Sequence, residues 1–217
     1  SIKFSIMIDL DKLEFNILGD LSTAKKCLVF IHGWKGNKES FVGVAQSFGI
    51  KDAAWMLPQA PYLVEGESNS FSWSFEYSPG RYERKKPMEL LLNFFKSEVF
   101  SRFDSRDVYL LGFSQGGLVC YEMLRVIDVA FGGIFPIGGF IADQKKDIKR
   151  INDAQASTPV VIGHGESDEV ISIEESRLAY NLLSKESKHI SLETYSGGHK
   201  IGYSYMKKVR EIIEQKY

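Results

Sequence analysis

The chain alternates short, continuously apolar runs with longer stretches in which apolar residues recur every three or four positions. Lys26 to Ile31, with CLVFI at its centre, is a run of the first kind and suits a strand covered on both faces. It stops at His32-Gly33, after which Phe41, Val42, Val44, Ala45 and Phe48 fall at helical spacing ahead of Gly49. The same succession predicts strands over 53–57, 108–113, 133–137, 160–163 and 190–195, and helices over 88–103, 116–127, 174–183 and 203–215. At the start, Ile2 to Asp9 and Leu13 to Leu18 carry β-branched and aromatic residues around a polar connection, which predicts a leading antiparallel hairpin.

Strands alternating with helices imply an α/β architecture: a mostly parallel central sheet, the hairpin at its start, and helices on both faces. With no internal repeat and no Pro/Gly/Ser linker, residues 1–217 read as a single domain. Ligand chemistry in such sheets belongs at the carboxyl ends of the strands. Two connections, 58–87 and 138–159, are longer than compact domains usually carry and are candidate substrate walls.

The composition, 44% hydrophobic and 25% charged, separates the chain from disordered sequences. A net charge of -1 with scattered Lys and Arg argues against nucleic acid as a partner. Cys27 and Cys120 sit in apolar runs and read as buried free thiols; no His, Cys, Asp and Glu cluster has ligand spacing, so neither metal nor cofactor is expected. Asp9 and Asp11 interrupt what a signal peptide would keep apolar, and no run approaches a membrane span. The reducing cytoplasm is the expected compartment.

Chemistry enters at VYLLGFSQGGLVCYEML, where an apolar strand passes through Gly112-Phe113-Ser114-Gln115-Gly116 into an amphipathic helix. G-x-S-x-G in that context marks a strained turn presenting a serine nucleophile, with glycines where a Cβ would strike neighbouring backbone. The backbone N–H of Gln115, at the positive end of the helix, then points at a developing oxyanion.

A serine hydroxyl needs a base, and the chain has four histidines. His32 precedes the serine, His189 precedes a strand at the wrong end of the sheet, and His164 shares its turn with the acid. His199, after the last strand in YSGGHKI, is left by elimination. The acid must orient the imidazole from a strand-end loop between Ser114 and His199. GHGESDEVI offers Asp168 as first choice and Glu166 as the next, with Glu169 also close in sequence.

A second oxyanion donor belongs on the loop after an earlier strand, and FIHGWKGN supplies it through the N–H of Trp34, with His32 supporting the turn. Phe71, Trp73, Phe75 and Tyr77 alternate with polar residues, so an extended segment would place four aromatics on one face as an acyl-pocket lining. The competing reading packs this loop onto the sheet.

From Lys26 onward the chain resembles the phospholipase/carboxylesterase family of α/β-hydrolases, which includes acyl-protein thioesterases. The likeness rests on IHGWKG, LPQAPY, Ser72-Trp73, GFSQGG, Gly138 to Phe140, GHGESDEVI and GGHKI. Asn37, Gln59, Gly138 and Ser172 depart from residues common in that family, which weakens any transfer of substrate preference. The resemblance implies a carboxylesterase that cleaves short- to medium-chain esters through an acyl-enzyme on Ser114. Two alternatives stay open: a thioesterase acting on acylated proteins or acyl-CoA, and a non-catalytic protein that keeps the fold. The implied partner is a small acyl ester or thioester, or an acylated protein. A dienelactone-type hydrolase would place Cys at position 114.

Overall fold

Parity along the strands splits the apolar runs into two cores. In β2 (Lys26–Ile31), Cys27, Val29 and Ile31 enter one apolar cluster while Leu28 and Phe30 enter the other. The strand is therefore buried on both faces, each large apolar side chain contributing about 1.5–3 kcal/mol.

The computed structural model describes residues 11–142 and 148–215. Seven strands form its central sheet, in the order β1 (Phe15–Leu18), β3 (Ala53–Pro58), β2, β8 (Val108–Phe113), β9 (Gly133–Ile137), β10 (Val160–Gly165) and β11 (Ile190–Tyr195). Only β1 runs antiparallel to its neighbour, β3. The first arm of the leading hairpin, Ile2 to Asp9, lies outside the described residues.

The first cluster packs under α2 (Lys85–Phe94), α3 (Gln115–Val126) and α4 (Ile173–Leu183), and the second under α1 (Val42–Phe48) and α5 (Tyr203–Glu214). Helices thus cover both faces. Two short antiparallel pairs, β4 (Tyr62–Leu63) with β5 (Phe71–Ser72) and β6 (Phe75–Ser78) with β7 (Arg81–Glu83), occupy the long connection after β3.

The helix read over 88–103 begins earlier and ends earlier. The Glu83 carboxylate accepts the N–H groups of Lys85 and Lys86 at 3.0 Å each, capping a helix that starts before its apolar period does. After Phe94 the backbone widens into a π-helical turn, Phe95–Val99.

Chain order reverses between β8, the central strand, and its neighbour β2, so a crevice opens at their carboxyl ends. Here α3 lies tight against the sheet. A Cβ on Gly116 would sit 2.1 Å from the Ile31 carbonyl oxygen, and one on Gly112 would sit 2.1 Å from that of Gly116.

Gly116→Ala should accordingly cost several kcal/mol, whereas Gly43→Ala in α1, with nothing within 4 Å of the added methyl, should add about 0.5–1 kcal/mol by helix propensity. Denaturant unfolding of both variants checks this, and an unchanged midpoint for Gly116→Ala would contradict the packing.

Candidate active site

Ser114 sits between β8 and α3 with φ 56° and ψ -115°, a conformation rare for a residue with a side chain. Its N–H donates to the Ile137 carbonyl at 2.8 Å, and its own carbonyl accepts from Gly117 N–H at 2.9 Å. The turn is held from both sides, and Oγ projects from its apex.

The loops after β10 and β11 meet over this serine. Backbone bonds join them, from Glu166 N–H to the Tyr195 carbonyl and from Ser167 N–H to that of Gly197, each 2.9 Å. Tyr195 further donates its hydroxyl to the Lys200 carbonyl at 2.7 Å, fixing the loop that carries His199. The result is one chain of hydrogen bonds: Ser114 Oγ lies 3.0 Å from His199 Nε2, and His199 Nδ1 lies 2.7 Å from Asp168 Oδ2. Phe113 packs on the imidazole, ring centroids 4.7 Å apart.

The Asp168 side chain is buried, which by itself would raise its pKa. The hydrogen bond from His199 and the N–H groups of Ile171 and Val170, both 2.9 Å from Oδ1, outweigh burial and hold the carboxyl below its ordinary value. Glu166 turns away and accepts from the Thr194 hydroxyl at 3.0 Å. His189 lies at the opposite end of the sheet, where its carbonyl accepts from Val160 at the start of β10.

The loop after β2 reaches the serine from the other side: a Cβ on Gly33 would come 3.1 Å from that of Ser114. Lys35 N–H donates to the Phe71 carbonyl and Gly36 N–H to that of Gly33, each at 3.0 Å. The N–H groups of Trp34 and Gln115 have no acceptor among the described residues. Trp34 itself is 61% exposed, with Lys35 Nζ 5.0 Å from the centroid of its ring.

His32 and Trp73 underpin that loop. His32 Nδ1 donates to the Gly33 carbonyl at 2.7 Å and Nε2 accepts Ala60 N–H at 3.0 Å, which assigns one neutral tautomer. Burial pushes its pKa down from 6.5 to about 4, against the opposing pull of the Gly33 carbonyl. The Trp73 indole N–H donates to the His32 carbonyl at 2.9 Å. Its backbone N–H donates to the Gln115 side-chain carbonyl at 2.9 Å, and the Gln115 amide nitrogen reaches Ser72 Oγ and Ser74 Oγ at 3.0 and 2.9 Å.

This geometry has relatives. The family model described as Phospholipase/Carboxylesterase matches residues 14–217. The chain belongs to the phospholipase/carboxylesterase family. Acyl-protein thioesterase 1 of Candida albicans is 28% identical over 199 residues, covering 81% of this chain and 85% of that protein. Carboxylesterase SOBER1 of Arabidopsis thaliana is 20% identical over 208 residues, covering 89% and 91%. The Bacillus cereus carboxylesterase structure superposes with a TM-score of 0.77 at 17% identity, over 95% of this chain and 96% of that one.

The four aromatics of the 71–77 segment do not share one face. Phe71 and Trp73 belong to the core, 8% and 1% exposed, while Phe75 is half-buried against Tyr62 and Tyr77 is exposed. The alternation fails because the chain leaves β strand geometry between Ser72 and Phe75, where Ser72 and Ser74 bond each other and Gln115. The two long connections contribute Tyr77, Tyr82, Ile141 and Ile148 to a groove of about 680 Å³ that α2 and α3 also line, Tyr121 among them. Ser114 does not line it. Among the described residues no group of three or more His, Cys, Asp or Glu is arranged to hold a metal, and no helix is long and apolar enough to cross a membrane.

Two measurements follow from the support beneath the loop. Trp73→Phe keeps the aromatic bulk but removes the bond to His32, so kcat/KM should fall about three- to tenfold, equally on acetate and octanoate esters; a loss confined to octanoate would return Trp73 to the acyl pocket. For His32, the folded pKa lies below that of the unfolded chain, so between pH 6.5 and 4 the unfolded chain binds the proton and the folded one does not. Its contribution is complete above pH 6.5 and is lost as pH falls, by about 2 kcal/mol at pH 4.5. Denaturant unfolding of wild type and His32→Gln at pH 7 and 4.5 checks this, and parallel losses in the two proteins would contradict it.

Proposed function

We propose that this chain hydrolyses carboxylic esters through an acyl-enzyme on Ser114, with short- to medium-chain acyl groups as its substrates. The observation that carries this reading is the unbroken run of hydrogen bonds from Ser114 through His199 to Asp168. In this mechanism His199 Nε2 takes the hydroxyl proton as Oγ attacks the carbonyl carbon, and the imidazolium then gives that proton to the leaving alkoxide or thiolate. Asp168 holds Nδ1–H and stabilises the imidazolium without itself becoming protonated. Water, activated by the same imidazole, releases the acid and restores Ser114.

The N–H groups of Trp34 and Gln115 form the proposed oxyanion hole. Trp34 lies on the loop after β2 and Gln115 at the start of α3, and neither N–H donates to an acceptor among the described residues, which leaves both for the charge that develops on the carbonyl oxygen.

A thioester substrate, including an acylated protein, is the second reading, favoured by the similarity to acyl-protein thioesterase 1. A thiolate leaves without help from a strong acid, so the same residues serve both substrates. Rates on matched oxygen esters and thioesters of equal chain length distinguish them.

Ser114→Ala should leave the fold intact and lower kcat on the order of 10⁴-fold or more, while abolishing labelling by a fluorophosphonate probe. Near-normal turnover by that variant would overturn the mechanism and favour a non-catalytic protein of the same fold.

A further inference from the structure

Asp168 is approached by a second histidine. His164 stands four residues earlier, at the end of β10, with a side chain that has no exposed surface. Its Nε2 lies 2.9 Å from the Ile171 carbonyl oxygen and 3.4 Å from Asp168 Oδ2, the oxygen that also receives His199. Both neighbours are acceptors, so Nε2 carries a proton. On the far side Nδ1 lies 2.6 Å from the hydroxyl of Ser176, a fully buried residue in the first turns of α4.

Resting on the mechanism above, we propose that His164 is a positioning residue for Asp168, set in its tautomer by Ser176. The same Ile171 whose N–H holds Asp168 Oδ1 gives its carbonyl to His164, so the turn that aims the carboxylate is gripped through both of that residue's peptide groups. His164 Nε2 also stands 3.4 Å from Oδ2, the oxygen that receives His199, so the buried ring packs against the carboxylate while its proton goes to the Ile171 carbonyl. A carboxylate free to swing would leave His199 misaligned with Ser114, and misplacement of about 1 Å in such a chain costs about 10²-fold in rate. The arrangement makes α4 part of the site at a remove: Ser176, His164, Asp168, His199 and Ser114 form a continuous series of polar contacts from helix to nucleophile.

The test compares full-length variants on a p-nitrophenyl ester. In His164→Gln the amide nitrogen can replace Nε2, whereas in His164→Asn it reaches only the Nδ1 position. His164→Gln should keep kcat within about threefold, and His164→Asn should lower it about 10- to 100-fold with KM within about twofold. Placed on Asp168→Asn, the His164→Asn change should cost less than about threefold more, because it acts through a carboxylate already lost. Ser176→Ala provides a second variant, with kcat about fivefold lower alone and unchanged on the Asp168→Asn background. Equal losses from Gln and Asn, an effect in KM instead of kcat, or full additivity with Asp168→Asn would overturn the proposal. An Asp168→Asn enzyme of normal kcat would instead overturn the mechanism it rests on.

Discussion

The contact between the backbone of Gly116 and the Ile31 carbonyl is the constraint on which the site depends. It lets α3 press against the end of β2, so the loop leaving β2 and the serine leaving β8 come to face one another. Any side chain at Gly116 would push the helix outward and carry Ser114 and the N–H of Gln115 with it. Ser114 must then take a positive φ to turn from strand to helix in so little space, at a cost of about 1–3 kcal/mol. Bonds to Ile137 and Gly117 hold it there.

Around that turn, the parts of the site support one another through buried polar bonds instead of through one element. Gln115 offers its N–H toward the crevice and spends its side chain on Ser72, Trp73 and Ser74. Trp73 in turn bonds His32, and His32 bonds the Gly33 carbonyl and Ala60. The two proposed oxyanion donors are thereby linked through the chain 72–74, which a glance at the nucleophile motif alone would not suggest. Buried networks of this type are rigid only when every member is satisfied, and here each nitrogen of His32 has one partner.

The strand and helix succession was legible because burial on both faces leaves apolar runs, and β8, β9 and β11 match their expected bounds. The turn that carries Ser114 was legible through its glycines, and the nearness of His199 to it through chain order and elimination. Asp168 was the first choice over Glu166 from its turn, and the path of the backbone is what sends Asp168 toward His199 and Glu166 toward Thr194. The shared face expected of the four aromatics did not form, for a reason that also lies in the backbone. A period of two signals a shared face only while the chain stays extended, and the serines on either side of Trp73 break the strand by bonding to Gln115. His164 was set aside as a base because it shares a turn with the acid, and that closeness is what brings it to Asp168.

Two of the features that look costly in the free protein belong to one account. The strained serine and the N–H groups of Trp34 and Gln115, which have no acceptor among the described residues, raise the energy of the folded state. In the proposed mechanism an ester carbonyl in its ground state offers them a weak acceptor, but the tetrahedral oxyanion offers a full charge. Interactions that strengthen only as that charge forms raise kcat without deepening substrate binding. The fold sustains the cost through its two cores and the Gly116 contact, and under the proposed mechanism the return comes in the transition state, where the donors need no reorganisation because His32, Trp73 and the Gln115 side chain already hold the backbone around them in place.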